Sequence, residues 1–530
     1  MPKRLLDLYP RRSTHSCVLI ETKGMGPVPY AALSYCWGNR PEQITKRANI
    51  AEYRHPHGID LSLSPKTYQD AAHVARLLGI RYLWLDALCI TQDDTEDWQE
   101  EATKMGDIYQ NARVTIAATG SISTRDGFIA ERRTVGHIPI LYDGPGAESE
   151  TSHFYIHPRF ARKLETIENT TWNRRGWTMQ ERFLSRNVIH FTSGPIVLEC
   201  RCGTWTEIHD GHAADWLEQP DANSRPYTRD DRNLVVTRHV RFVDANPYPE
   251  DWFAIVEEYQ NRGLTFPDDK KWALQGMVRN LEQRIDMRYF AGLWLPLANP
   301  DHSESDPSKR INHWKGGDSR TSIHFQLLWS ALGPLRTRPR SRAPSWSWVA
   351  IDGKLCFLGN AFIDNAKVSD ADIRVFEVSE ITSDPVGVYE KLRIRGQLRK
   401  VRRGHAAKLG QIYGGEEPST SGCDLKYSVV YRKVYDWYLL NSVDWPPKTS
   451  AGVAAFDVDD PEDEVFWALA VARADYDRAY YALLLRKVTQ KYHELLERGG
   501  PTDIFQRVGI AEMQVAEFSE QVSYVDFILV

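Results

Sequence analysis

The chain has 530 residues, 42% of them hydrophobic, and its 66 Lys and Arg against 71 Asp and Glu give a formal net charge of -5. This length predicts a globular protein of two or three domains. The charge balance provides no global field to recruit nucleic acid or an anionic membrane, so neither is expected as a partner. No apolar run reaches the roughly 18 to 20 residues of a membrane span. With no signal-peptide core and only 7 cysteines, an odd number, we expect a cytoplasmic protein.

The pattern of residues 82–111 predicts a strand followed by a helix, and the first domain is organised around this unit. A short apolar strand ends in Asp86, a polar turn follows, and apolar residues then recur at helical spacing. Asp94 and its neighbours are suited to cap that helix. Asp86 is therefore expected at the carboxyl end of a strand, where open α/β sheets place their ligand sites.

The neighbouring segments continue an alternation of strands and helices. Strands are expected at 17–21, 30–37 and 114–118, and a helix is expected between Ser64 and Gly79. This β-α-β-α-β order favours a parallel sheet with right-handed crossovers. A short helix at 172–185, followed by strands at 187–191 and 196–200, completes the domain.

We therefore predict a three-layer α/β domain over residues 1–205. Residues 206–248, rich in Asp, Asn, Arg and Pro, are expected to form a linker or an excursion. Residues 249–342 are expected to be mainly helical, with helices at 252–261, 270–285 and 325–332. Residues 343–530 are expected to form a β-rich accessory region, with strands at 391–397, 465–472 and 480–486; the last two runs are also compatible with helices.

Three blocks in the first 200 residues carry a recognisable pattern. Residues 30–38 read YAALSYCWG, residues 82–112 join WLDALCITQ to an acidic helix, and residues 175–185 read RGWTMQERFLS. Together they resemble the heterokaryon-incompatibility (HET) domain family of filamentous fungi. The string APSWSW at 343–348 is a weaker likeness. The resemblance implies a fungal source, a role in non-self recognition and cell death, and a homo-oligomer or an allelic partner protein as partner.

The HET family is itself similar to TIR domains, some of which cleave NAD. That likeness implies a TIR-like fold, NAD or a related nucleotide as substrate, and no cofactor. TIR enzymes carry their catalytic glutamate on a helix with a tryptophan, and Trp177 and Glu181 are the counterpart in this chain. The resemblance therefore implies Glu181 as the catalytic carboxylate.

The residue types suit this chemistry. Trp177 and Glu181 are four residues apart and share a helix face. An indole can stack on a nicotinamide or adenine ring, and a carboxylate can stabilise the oxocarbenium-like state of glycosidic cleavage. Ser34 and Asp86, at strand exits, are candidates to complete the catalytic crevice. Trp37 and Gly38, next to Ser34, are further candidates for substrate binding.

Structural alternatives remain open for each of these residues. Glu181 has arginine neighbours at 174, 175 and 182 and could be a salt-bridged helix residue, and Trp177 could be a core residue. Asp86 could cap the turn that follows it, and Ser34 could be an unreactive strand-end hydroxyl. Asp97 and Glu101 are expected on a solvated acidic face.

Two further features bear on function. Cys200, Cys202, His209 and His212 are close in sequence, but a C-x-C pair suits a structural zinc site poorly, so no metal site is expected. The chain has 17 tryptophans, and aromatic surfaces are common at interfaces. A non-catalytic module that acts through self-association or partner binding is therefore the competing functional hypothesis.

Overall fold

The structure is a computed structural model, and the chain divides into two compact units. Unit 1 comprises Met1–Ala245, Arg262–Leu264 and Trp272–Met277, and unit 2 comprises Asn246–Asn261, Thr265–Lys271 and Val278–Val530. The residues that the structure describes are 1–10, 15–39, 42–129, 138–141, 153–156, 167–200, 203–206, 249–285, 287–296, 323–331, 342–357, 376–383, 390–406, 437–442, 450–457, 465–474, 479–488, 503–514, 518 and 523–530. The predicted linker, apart from residue 206, lies outside these residues.

Unit 1 is built on a nine-stranded mixed sheet. Its strands are β1 Arg4–Asp7, β2 Ser16–Glu21, β3 Tyr30–Ser34, β4 Ile59–Asp60, β5 Tyr82–Trp84, β6 Val114–Ala117, β9 Asn187–Phe191, β10 Ile196–Cys200 and β11 Gly203–Thr206. They are arranged in the order β11-β10-β9-β6-β3-β5-β1-β2-β4. A separate hairpin joins β7 Ile138–Leu141 to β8 His153–Ile156.

The four central strands of this sheet, β5, β3, β6 and β9, are parallel. The chain leaves β3 for β5 on one side and later returns to β6 on the other side, so β3 is where the strand order reverses. In open α/β sheets, ligands bind at such a point, beyond the carboxyl ends of the strands. The prediction of a parallel sheet holds for this centre only. The outer strands pair antiparallel, because hairpins connect β1 to β2 and β9 to β10 and β11.

Two helices fill the connections between the parallel strands. Lys66–Leu77 lies between β3 and β5, and Thr95–Asn111 lies between β5 and β6. Both confirm the sequence prediction: Asp94 caps the second helix by accepting from the Asp97 amide, and Gly79 ends the first with φ +69°. A short third helix, Thr178–Phe183, precedes β9 and confirms the helix expected at 172–185, at less than its predicted length.

The first strand was not expected from the sequence, and it changes the interpretation of the acidic helix. Arg4 on β1 is buried and donates to both carboxylate oxygens of Asp97, at 2.9 and 2.7 Å. Glu101 is buried as well. The expectation of a solvated acidic face is therefore wrong for these two residues: they face β1, and the ion pair compensates for the burial of Asp97.

Downstream of β11, helices form at Pro249–Tyr259, Trp272–Glu282 and Ile323–Leu327, close to the predicted positions. The helix expected at 325–332 is shorter than predicted, since Trp329–Ala331 is a strand. This region also contains a hairpin of Met287–Phe290 and Leu293–Pro296, which was not predicted.

The sheet of unit 2 closes on itself. The long strand Glu390–Ala406 pairs with both Trp437–Ser442 and Val465–Ala474, and further antiparallel pairs connect these two through Ser450–Phe456, Ile504–Gln514 and Ala479–Lys487. The strand predictions at 391–397, 465–472 and 480–486 are thus confirmed. Closure leaves each of these six strands paired on both sides, and buried leucines such as Leu469 and Leu483 form the core.

Candidate functional site

The structure brings Glu181 to the carboxyl end of β3. The Oγ atom of Ser34, the last residue of that strand, donates to Glu181 Oε2. The indole Nε1 of Trp172 donates in turn to Ser34 Oγ at 2.8 Å. Ser34 is fully buried, and Glu181 is 4% exposed.

Burial dominates the electrostatics of Glu181. It raises the pKa of this carboxyl to about 7, although the Arg175 cation and the Ser34 hydrogen bond act in the opposite direction. The Tyr109 hydroxyl, which donates to the Leu33 carbonyl at 3.0 Å, lies beside the same carboxyl and also lowers its pKa. An acid with a pKa near neutrality is suited to both accept and donate a proton.

Asp86 forms the second carboxyl of the site, just beyond the end of β5. It accepts from the Tyr35 hydroxyl and the Trp37 indole nitrogen, both at 2.8 Å. It also accepts from the Ala87 amide at 2.7 Å, at the start of a short helix, Asp86–Cys89. Asp86 thus bonds an adjacent backbone amide, but it does not cap the helix, whose N-cap residue is Leu85. Two aromatic side chains from the segment after β3 converge on the same carboxylate. Burial raises the pKa of Asp86.

Arg175 supplies the positive charge of the site. Its guanidinium donates to the Tyr35 carbonyl and lies close enough to Glu181 and Asp86 to lower the pKa of both carboxyls. The surrounding backbone is fixed by the Gly176 amide, which donates to the Gly263 carbonyl at 2.7 Å. The Arg175 cation thus lowers the pKa of two carboxyls. We call Ser34, Asp86, Arg175 and Glu181 the strand-end cluster.

Arg182, which follows Glu181 on the short helix, makes a different set of contacts. It donates to both Glu199 carboxylate oxygens at 2.8 and 2.6 Å and to Glu168 at 2.8 Å. His190 lies 3.0 Å from Glu199 through Nε2 and 2.9 Å from the Thr119 hydroxyl through Nδ1. We call Arg182, Glu199, Glu168 and His190 the paired cluster. Because Arg182 is occupied here, it is not the salt-bridge partner of Glu181 considered from the sequence.

The three predicted substrate-binding residues lie in different surroundings. Trp37 is partly buried and bonded to Asp86, within the strand-end cluster. Gly38 follows it, exposed, at φ +75°, and a Cβ there would come within 2.9 Å of the Ser123 side chain. Trp177 packs edge to face against Trp98, with ring centroids 6.4 Å apart, and joins the main core. Its contacts favour the core alternative, whereas Trp37 and Gly38 remain beside the strand ends.

Sequence reasoning missed four side chains of the site: Tyr35, Tyr109, Trp172 and Arg175, the last considered only as a salt-bridge neighbour of Glu181. Tyr35 lies inside the YAALSYCWG block, so its position next to Ser34 was a usable signal. Tyr109 is on the inner face of the helix Thr95–Asn111, where its spacing predicts only a core residue. Trp172 precedes the third block, and nothing in its pattern indicates a bond to Ser34.

The predictions about metals and membranes rest on fewer observations. The structure describes Cys200 of the four clustered residues considered for zinc, whereas Cys202, His209 and His212 lie outside the described residues. Within the described ranges, no group of three or more His, Cys, Asp or Glu is arranged to hold a metal ion. A search of the same residues finds no helix both long and apolar enough to cross a membrane.

Comparison with known proteins identifies the segment that carries this site. The sequence model of the family described as heterokaryon incompatibility protein (HET) matches residues 30–181, which include Ser34, Asp86, Arg175 and Glu181. The chain carries a HET domain. The resemblance stated from the three sequence blocks is thereby confirmed, and the match begins at β3 and ends at Glu181.

One relative of this HET-domain chain is heterokaryon incompatibility protein 6, OR allele, of the fungus Neurospora crassa, with 26% identity. The match covers 41% of this chain and 38% of that relative, so the chain spans well under half of the relative's length. No solved structure matches the chain.

Proposed function

We propose that this chain is a fungal incompatibility protein acting in cell death, and that its HET domain, in a TIR-like arrangement, hydrolyses NAD or a related nucleotide. The observation that carries the proposal is the placement of the buried Glu181 carboxyl, with a pKa of about 7, against Ser34 at the end of the central parallel strand. Perturbed acids at such positions are common in active sites. The family match and the relative's name support the incompatibility role.

The proposed reaction breaks the bond between the ribose C1′ carbon and the nicotinamide nitrogen. Nicotinamide leaves as a neutral molecule because its ring nitrogen takes the bonding electron pair. The Glu181 carboxylate stabilises the oxocarbenium-like state and accepts a proton from the attacking water, whose oxygen bonds to C1′. The cationic leaving group needs no acid, so one carboxylate suffices and no cofactor is required.

The other residues take supporting roles in this proposal. Asp86 would accept hydrogen bonds from ribose hydroxyls, and its orientation through the Tyr35 and Trp37 bonds supports that role. In this proposal the partly buried Trp37 ring offers an apolar face, and the exposed Gly38 lies next to it at the strand ends. Trp177 enters the proposal only through its packing on Trp98, which supports the helix that carries Glu181.

The test is nicotinamide release from NAD by the purified full-length chain, with Glu181→Gln as the key variant. Gln keeps the side-chain shape and can still accept from Ser34, but it cannot ionise. Arg174→Ala, which changes an exposed residue on the same segment, is the matched control. We expect release by the wild type and by the control and a loss of at least 100-fold in Glu181→Gln. Equal release by all three proteins would remove Glu181 from the mechanism.

A second candidate function is a non-catalytic module that acts through self-association or partner binding, in the cytoplasm. The burial of the site favours it, since Glu181 is 4% exposed and Ser34 is fully buried. A cell-death assay on overexpression distinguishes the two functions. Toxicity that survives both Glu181→Gln and Asp86→Asn would support the interaction module, and toxicity lost in both, with folding intact, would support the enzyme.

A further inference from the structure

We propose that Trp172 is a positioning residue for Glu181: its indole N–H fixes the Ser34 hydroxyl so that this hydroxyl donates to the carboxyl. We call this chain of hydrogen bonds, from Trp172 to Ser34 to Glu181, the relay. Its role in catalysis rests on the proposed function. The hydrogen-bond order itself rests on the contacts of Trp172, Ser34 and Glu181.

The order of donors follows from what each group can do. An indole nitrogen only donates, so Trp172 Nε1, 2.8 Å from Ser34 Oγ, occupies a lone pair of that oxygen. Ser34 Oγ has one hydrogen, and its other contact is Glu181 Oε2. Within the described part of the chain, this hydroxyl makes no third hydrogen bond. The hydrogen of Ser34 is therefore directed at the carboxyl oxygen.

Trp172 is held firmly enough to impose this order. The ring is fully buried, and the Thr178 hydroxyl donates to the Trp172 carbonyl at 2.9 Å. The ring also meets the His190 imidazole edge to face, with centroids 5.3 Å apart at 83°. His190 is held by Thr119 and Glu199, so the indole packs against a fixed side chain of the paired cluster.

The relay determines the roles of Ser34 and Trp172 at the site. A hydroxyl that donates to a carboxylate stabilises the ionised form, and the Ser34 hydrogen bond indeed acts against the burial that raises the pKa of Glu181. Ser34 is then a positioning residue and not a nucleophile. Trp172 acts one step further away, by preventing the hydroxyl from rotating to another acceptor.

The test uses Trp172→Phe, which keeps an aromatic ring but removes the N–H donor. Trp84→Phe is the matched control, because Trp84 is equally buried and its Nε1 has no hydrogen-bond partner among the described residues. The unfolding equilibrium of the full chain is measured in urea at pH 5 and pH 8. Hydrogen exchange of peptides covering residues 30–37 reports the region around Ser34.

The unfolding constant of the wild type should rise from pH 5 to pH 8. In Trp172→Phe we expect this rise to be about tenfold larger, because ionised Glu181 loses its oriented hydrogen-bond donor. In Trp84→Phe the pH dependence is expected to match the wild type, whatever the overall loss. An unchanged pH dependence in Trp172→Phe overturns the relay.

A second variant covers the case in which Trp172→Phe does not fold. Ser34→Ala deletes the donor itself and is expected to increase the pH-dependent loss at least as much; no increase overturns the proposal. Nicotinamide release by the wild type is measured in parallel. Its absence counts against the proposed function, whereas the unfolding data decide the relay independently.

Discussion

Glu181 and Arg182 are neighbours on one short helix, yet they belong to two buried clusters with opposite electrostatics. Arg182 makes a two-point ion pair with Glu199, and this pairing holds the pKa of the Glu199 carboxyl well below its usual range against the effect of burial. Glu181 is bonded to a serine hydroxyl and lies beside Tyr109 and Arg175, and its pKa is raised to about 7.

The buried charges of the paired cluster stabilise the fold, whereas those of the strand-end cluster adjust the pKa of an acid. Burying an ion is costly unless a partner and hydrogen bonds compensate, and the paired cluster provides them. A buried acid that is compensated only in part shifts its pKa instead and becomes a candidate for proton transfer. The two clusters should therefore respond differently to substitution and to pH.

The largest expected effect is in the paired cluster. Arg182→Met leaves Glu199 and Glu168 without their buried cation, and we expect a loss of about 3 to 5 kcal/mol in the free energy of unfolding. Urea unfolding measures it, with Arg174→Ala as the control for losing an arginine from the same segment. A loss no larger than that of the control would show that the ion pair is not what stabilises this region.

Glu181→Gln should change the pH dependence of stability. The folded pKa of about 7 lies above the ordinary value of 4.5, so between these pH values the folded state holds a proton that the unfolded state has released. Wild-type stability should thus fall as pH rises through this window, by up to about 3 kcal/mol, and the fall should be absent in the variant. The comparison between the two clusters fails if both proteins show the same slope between pH 5 and pH 8.

His190 predicts a smaller effect on the acid side. Burial lowers its pKa below the ordinary value of 6.5, so the folded state keeps it neutral while the unfolded state takes up a proton. Its contribution to stability is complete above pH 6.5 and is lost as pH falls below that value. His190→Gln should flatten this acid limb in urea unfolding.

The smallest expected effect concerns Arg175. Replacing it with Gln removes the cation that opposes burial at Glu181, so the pKa of Glu181 should rise. In nicotinamide release, the pH of half-maximal rate should move upward with it. A shift to lower pH would show that Arg175 does not lower the pKa of this acid.

Sequence pattern was sufficient for the elements that local chemistry specifies. Asp94 as a helix cap and Gly79 as a helix end followed from side-chain and backbone preferences. The mixed sheet did not, since the antiparallel strand Arg4–Asp7 depends on pairing with Ser16–Glu21, which is not encoded in either segment alone. Such pairings are decided by tertiary context.

The site followed the same rule. Ser34, Asp86 and Glu181 were found because strand ends and family motifs point to them. Tyr109 and Trp172 were missed because their contacts come from segments far apart in sequence, and an aromatic residue at a core position gives no sign that its polar atom is bonded. Trp177 shows the converse, since helical spacing placed it beside Glu181 but not where its ring would pack.

The most direct test is to titrate the Glu181 carboxyl itself. Carbon-13 NMR of the full chain labelled at glutamate side chains would follow it, with Glu181→Gln identifying its signal. We predict a midpoint of about 7 for Glu181, with Glu199 of the paired cluster already ionised at that pH. A midpoint at or below 4.5 would contradict the account, because the cost of burying ionised Glu181 would then be fully compensated.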